Sequence, residues 1–179
     1  FKISSLFRIS FMASQKTQEN SILTPHQREV LELLANENYF VQRFYFTGGT
    51  ALAEFYLRHR LSEDLDFFSE QQEINHSAIT QYIERYAKRL EVEKFDTRNI
   101  LGLWTFFLTF SDEEVLKIDF NYYPFLRIEK GAKFGKLAVD SPYDIAVNKV
   151  HTIAMKPRAR DFIDIYFLIK EKAIISKIF

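Results

Sequence analysis

The stretch Thr47-Gly48-Gly49-Thr50 is followed, after thirteen intervening residues, by Asp64-Leu65-Asp66. Two glycines ahead of a helix let backbone N–H groups approach a phosphate closely, and the helix dipole favours negative charge there. Thr50 adds a hydroxyl donor. Asp64 and Asp66 stand at i and i+2 on a short aromatic, strand-like run, so both carboxylates leave one face and can grip a hard divalent cation through oxygen. Asp119, in Lys117-Ile118-Asp119-Phe120, supplies a third acid from a separate strand. Three converging carboxylates suit two-metal phosphoryl transfer, with ions about 3.5–4 Å apart serving the attacking oxygen and the leaving pyrophosphate. Left unpaired, such acids repel one another, so their convergence implies a cation. A Gly-Gly pair alone is usually a turn, and an Asp-x-Asp alone a solvated loop. Their joint occurrence with a third strand Asp favours chemistry.

The elements that must position these residues are readable in outline. Thr24-Pro25-His26-Gln27 joins an N-cap hydroxyl, Pro at the first helical position and Gln three residues after the cap, ahead of Val30, Leu31, Leu33 and Leu34 at helical spacing. Residues 40–46 alternate, with Phe40, Gln42, Phe44 and Phe46 on one side, and predict a strand that ends at the glycine turn. Residues 51–59 are good helix formers, and 64–68 return to strand. An amphipathic helix is expected over 74–90, followed by strands at 91–97, 103–110 and 115–122. In the last of these Leu116, Ile118 and Phe120 face one way, and Lys117, Asp119 and Asn121 the other. A short run at 137–139 leads to Ser141-Pro142, which caps a helix to about Met155, and a final helix spans 160–172 beyond Pro157. The fold class is α/β or α+β with a mixed sheet.

Composition bounds the rest. The chain has 179 residues, 47% of them hydrophobic, with five Gly and four Pro, which suits a globular core. Its 19 Phe and 9 Tyr point to a sheet-containing domain or a groove that another surface covers. Twenty-four basic and 24 acidic residues give no net charge, which excludes a globally basic nucleic-acid glove but not a local basic cleft. The absence of Cys removes disulfides, thiolate metal sites and cysteine nucleophiles, and accords with a reducing, cytoplasmic setting. No apolar run approaches the ~20 residues of a membrane span. Residues 1–23 read as an N-terminal segment, partly non-native or flexible, with Met12 the natural start; 24–179 read as one domain, truncated at its C-terminus. The four His show no metal-binding spacing.

Phe46-Thr-Gly-Gly-Thr-Ala-Leu-Ala53, Tyr56-Leu-Arg-His-Arg-Leu-Ser62 and Asp64-Leu-Asp-Phe-Phe68 resemble the signature of the AbiEii/AbiGii abortive-infection toxins, nucleotidyltransferase-like proteins of the DNA polymerase β-type superfamily. Lys117-Ile-Asp119 resembles the family's second motif, Asp144 to Lys149 its third and Arg160-Asp161-Phe-Ile-Asp164 its fourth. The resemblance covers 40–169. Thr50 stands where the wider superfamily often has Ser, and the C-terminal helices usual in such toxins are missing.

The resemblance implies a nucleotidyltransferase-type mixed β-sheet flanked by helices. It implies Mg²⁺, with a two-metal site on Asp64, Asp66 and Asp119, and a nucleoside triphosphate as substrate. Asp119 would help deprotonate the acceptor hydroxyl, and Asp161 and Asp164 would serve the reaction. Gly48, Gly49 and Thr50 would hold the phosphates, with Arg60, Ser62, Lys149 and Arg160 around them. Plainer roles compete: a surface position for Lys149, helix capping for Asp161, and an ion pair of Arg58 or Arg60 with Glu54 or Glu63. Lys156, Arg158 and Arg160 form a basic cluster suited to phosphate. The expected function is transfer of a nucleoside monophosphate to a hydroxyl of RNA, such as tRNA, or of protein, by the toxin of a toxin–antitoxin or phage-defence pair with a cognate antitoxin. The alternatives are a small-molecule, antibiotic-type nucleotidyltransferase and a non-catalytic partner-binding protein.

Overall fold

In the computed structural model the chain is described over residues 21–71 and 74–171. The expectations placed on 1–20, Met12 included, and on 172–179 lie outside the described residues. Helix α1 (Pro25–Asn36) starts as the capping box requires: Thr24 accepts from the Gln27 N–H at 3.2 Å, and the Gln27 side chain accepts from the Thr24 N–H at 2.9 Å. The segment expected as a strand over 40–46 is instead a short helix, α2 (Asn38–Arg43), before a three-residue strand β1 (Tyr45–Thr47). The alternation there misleads because Phe40 and Phe44 also stand at i and i+4. Both are buried, and the Phe44 N–H donates to the Phe40 carbonyl at 2.8 Å.

After β1 the chain turns at Gly48 into α3 (Gly48–Leu52), which widens into a π-helical turn at Ala53–Leu57 and stops where Arg58 takes the left-handed conformation (φ 49°). Then come β2 (Leu65–Ser69), α4 (His76–Tyr86), β3 (Val92–Ile100), β4 (Leu103–Phe110), β5 (Val115–Tyr122), β6 (Lys133–Phe134), β7 (Leu137–Val139), α5 (Pro142–Met155) and α6 (Ala159–Lys170). The strands form one mixed sheet in the order β3-β4-β5-β2-β1-β7-β6, with β2/β5 and β1/β7 parallel and the remaining pairs antiparallel.

One face of the sheet is greasy. Val30, Leu34, Phe40, Ile79 and Ile83 from α1, α2 and α4 cover Leu108, Ile118 and Phe120. Within this layer Phe67 packs between Phe46 (5.3 Å) and Phe120 (5.2 Å). The opposite face of β5 carries Lys117 and Asp119, as the alternation predicts, and β2 presents Asp66 and Phe68 between buried Leu65, Phe67 and Ser69. Register then sets the site. Asp66 lies beside Asp119 across the parallel β2/β5 pair and beside Thr47 across the antiparallel β1/β2 pair, next to the glycine turn.

Candidate active site

A cleft of about 150 Å³ opens where these strands meet α5 and α6; the glycine turn, Asp64, Asp66, Asp119 and Lys149 line it. Gly48 has φ +77°, and a Cβ there would lie 2.2 Å from Asp66 Oδ2. A Cβ on Gly49 would lie 2.2 Å from Arg60 Nη2 and 3.2 Å from Ser62 Oγ. Gly48 demands glycine by its φ and by the acid against it, and the backbone of the turn runs against that acid on one side and the Arg60 guanidinium on the other. Thr50 behaves otherwise than expected. It is fully buried, and its hydroxyl donates to the Asp64 carbonyl, so it fixes the start of β2 and does not face the cleft.

The three carboxylates share cations of the chain itself. Lys117 Nζ lies 2.5 Å from Asp119 Oδ2 and 3.4 Å from Asp64 Oδ2, and Arg160 Nη2 lies 3.3 Å from Asp64 Oδ2. Asp119 also accepts from Thr105 Oγ1 at 2.6 Å. Burial, then the neighbouring Asp119 charge, pushes the Asp66 carboxyl up to about 6. Burial acts to lower the Lys117 ammonium, but Asp119, Asp64 and Asp66 outweigh it and hold it raised. Hard oxygen donors in mutual repulsion, drawn around a cationic group, are a donor set that suits Mg²⁺.

The other expected residues divide by depth. Arg60, Ser62, Lys149, Arg160 and Asp161 line the cleft, as does Arg158 of the basic cluster, while Lys156 does not. Asp164 is fully buried behind them and outside the lining. It pairs with Arg60 through Nε at 2.6 Å and Nη2 at 2.8 Å, with Lys149 Nζ at 2.8 Å and with His59 Nε2 at 2.7 Å. Burial alone would raise this carboxyl, but the hydrogen bonds from Arg60, Lys149 and His59 hold it at about 2. Asp164 is therefore placed to hold Arg60, Lys149 and His59, and it does not itself line the cleft. Asp161 stands in the first turn of α6, where its charge suits the helix dipole, and its Oδ1 also accepts from Lys149 at 2.6 Å. Lys149 is accordingly held between two acids at the cleft rather than left on a surface. Arg60 takes Asp164 in place of Glu54 or Glu63, and Glu54 pairs with Arg28 at 3.7 Å and Ser21.

Sequence reasoning missed Lys117 as part of the cluster and Asp140 altogether. Asp140 is buried behind the glycine turn, where its Oδ2 accepts from Thr47 Oγ1 at 2.7 Å. Burial pushes its carboxyl up to about 7 against that hydrogen bond, with Asp144 adding to the rise. The available signal was an acid directly between a strand and the Ser141-Pro142 cap. Histidine spacing also concealed a grouping made by folding: His26, Asp112 and Glu114 bring ligand atoms within 4.8 Å of one another, with His26 Nε2 hydrogen-bonded to Asp112 at 3.0 Å.

The sequence profile of the family described as "Nucleotidyl transferase AbiEii toxin, Type IV TA system" matches residues 32–178. The chain is 29% identical over 153 residues to the uncharacterized protein aq_aa25 of Aquifex aeolicus (strain VF5), covering 83% of this chain and 68% of that protein. Among solved structures, JHP933 from Helicobacter pylori aligns with a TM-score of 0.60 at 21% identity, over 81% of this chain and 63% of that one. The Megavirus polyadenylate synthase aligns with a TM-score of 0.53 at 12% identity, over 94% of this chain and 37% of that one. The chain thus spans less than two thirds of these structural relatives, and the likeness to them is one of fold. With a glycine turn, an Asp-x-Asp and a strand Asp in one cleft, and a family profile matched over most of its length, the chain belongs to the AbiEii nucleotidyl transferase toxin family.

Proposed function

We propose that residues 24–179 act as a single nucleotidyltransferase domain that moves a nucleoside monophosphate from a nucleoside triphosphate to an acceptor hydroxyl. The observation that carries this reading is the convergence of Asp64, Asp66 and Asp119 with the Gly48-Gly49 turn and Lys149 in one cleft. Asp64, Asp66 and Asp119 would hold Mg²⁺, which when bound supplies Lewis acidity for the acceptor hydroxyl and charge neutralisation for the departing pyrophosphate. The backbone at Gly48-Gly49 approaches the phosphates, and Arg60, fixed by Asp164, presents its guanidinium beside Gly49. Lys149, gripped by Asp161 and Asp164, offers a point charge, and Arg160 and Ser62 complete the rim. Asp119 Oδ2, once released by Lys117, accepts the proton of the acceptor hydroxyl. A carboxylate is a weak base, so the hydroxyl must already be acidified.

The acceptor is RNA, such as tRNA, or a protein, and the setting is the cytoplasm, as the toxin of a phage-defence pair with a cognate antitoxin. Among the described residues no helix is long and apolar enough to cross a membrane. The test is incubation with Mg²⁺ and each α-labelled triphosphate, together with bacterial RNA or lysate protein, beside an Asp64→Ala/Asp66→Ala control. Label on one fraction that disappears in the control supports the proposal and identifies the acceptor class. Label that persists in the control refutes the site.

A further inference from the structure

The cleft continues beyond its carboxylates. Phe68, two residues past Asp66 on the same face of β2, lines the cleft wall and meets the rings of Tyr45 at 6.1 Å and Tyr123 at 5.0 Å. Tyr123 in turn meets Phe125 at 4.9 Å. This aromatic path leads into a second cavity of about 420 Å³, within the ordinary range of small-molecule sites. Asn148 lines both spaces. The outer wall is the segment after β5, where Phe125 is 61% exposed.

That wall is held in place although it is exposed. The Tyr123 N–H donates to the Ser69 carbonyl at 2.8 Å, and the Ile128 and Glu129 N–H groups donate to the Asp144 carboxylate at 2.6 and 3.1 Å. Arg127 lies over the Tyr45 ring at 4.4 Å, so a guanidinium plane is set beside the aromatic faces. At the back of the cavity the buried Asp140 has an Oδ1 atom with no hydrogen-bond partner. Aromatic faces for stacking, an amide with both donor and acceptor, and an unpaired acceptor match a flat heterocycle with a polar edge. Asn148 Nδ2 already donates to Asp140 Oδ2 at 3.5 Å, so it is the Asn148 carbonyl and Asp140 Oδ1 that a purely aliphatic ligand would leave unanswered.

We infer that this cavity is a nucleobase subsite of the catalytic cleft, with Tyr123 and Phe125 supplying the stacking faces and Asn148 the edge contact. The inference rests on the transferase reading above. The base has two possible sources: the triphosphate itself, or an unpaired nucleotide of an acceptor RNA. Calorimetric titration of the full chain with Mg²⁺ separates them, using tripolyphosphate, the α,β-methylene analogues of ATP, GTP, CTP and UTP, and a single-stranded RNA hexamer. The variants are Phe125→Ala, which alters an exposed side chain, and Tyr123→Ala.

We expect at least about fivefold weaker binding of a nucleoside analogue in both variants, as loss of a stacked base predicts, with tripolyphosphate unchanged. Weakening of the hexamer alone also supports the subsite and assigns it to the acceptor. Unchanged affinity for every base-containing probe overturns the subsite and leaves the transferase reading standing, as does equal weakening of tripolyphosphate. If the unaltered protein binds neither tripolyphosphate nor any analogue, the transferase reading fails and the subsite falls with it.

Discussion

Replacing Asp164 by Asn keeps the shape of the side chain and removes the charge on which His59, Arg60 and Lys149 converge. All of these partners are largely buried, with side-chain exposures of 1%, 15% and 11%, so water screens them poorly. Removing one member of a buried ion cluster leaves the others uncompensated and costs about 3–5 kcal/mol. Proton linkage gives a second route to the magnitude. The fall of the Asp164 pKa from 3.8 to about 2 corresponds, at about 1.36 kcal/mol per tenfold, to about 2.5 kcal/mol of stability.

Because the folded pKa is depressed, that share is fully present above the unfolded value near 4 and is lost as pH falls toward 2. Urea unfolding of both proteins with EDTA at pH 7 and pH 3 measures it. The variant should lose about 3–5 kcal/mol at pH 7, equivalent to about 10 °C in Tm for a chain of this length, and about 1 kcal/mol less at pH 3. A loss below about 1 kcal/mol at pH 7, or one that grows as the pH falls, refutes the assignment of Asp164 as the charged hub behind the cleft.

Burial, with Asp119 next, places Asp66 at about 6, so protons compete with Mg²⁺ for it; calorimetric Mg²⁺ affinity should fall about tenfold from pH 8 to pH 5, and a constant affinity would remove Asp66 from the metal site. Thr50→Val leaves the partly buried Asp64 carbonyl without its hydroxyl donor and should cost about 1–2 kcal/mol in urea unfolding, whereas Thr50→Ser stays near the parent; equal losses would contradict the tether. Gly48→Ala places a Cβ 2.2 Å from Asp66 Oδ2 at φ +77°, so it should lose about 1–3 kcal/mol and most transferase activity, and full activity would show that the turn is not set against the acid.

Much of the architecture was legible in one dimension because it follows from local rules. The Thr24 capping box, the Ser141-Pro142 cap and the period-two alternation of Leu116, Ile118 and Phe120 each carry their own signal. The glycine turn with Asp64, Asp66 and Asp119 was legible for the same reason, since chemistry restricts both residue type and spacing. Residues 40–46 were not, because Phe40, Phe44 and Phe46 on one alternating face satisfy a strand while Phe40 and Phe44 equally satisfy a helix turn. Packing against Tyr82 and Phe120 settled the matter.

The roles of the individual polar groups needed the third dimension. Thr50 and Asp164 have the residue types of site groups, yet one is turned onto a backbone carbonyl and the other is buried beneath Arg60 and Lys149. Lys117 reads as an ordinary outward residue until the β2/β5 register sets it among the acids, and Asp140 has no local pattern before β7 delivers it to Thr47. Sequence alone therefore determined which residues could do chemistry and on what elements they sit. Which of them face the cleft and which hold others in place was decided by register and burial, since those arise from contacts between segments far apart along the chain.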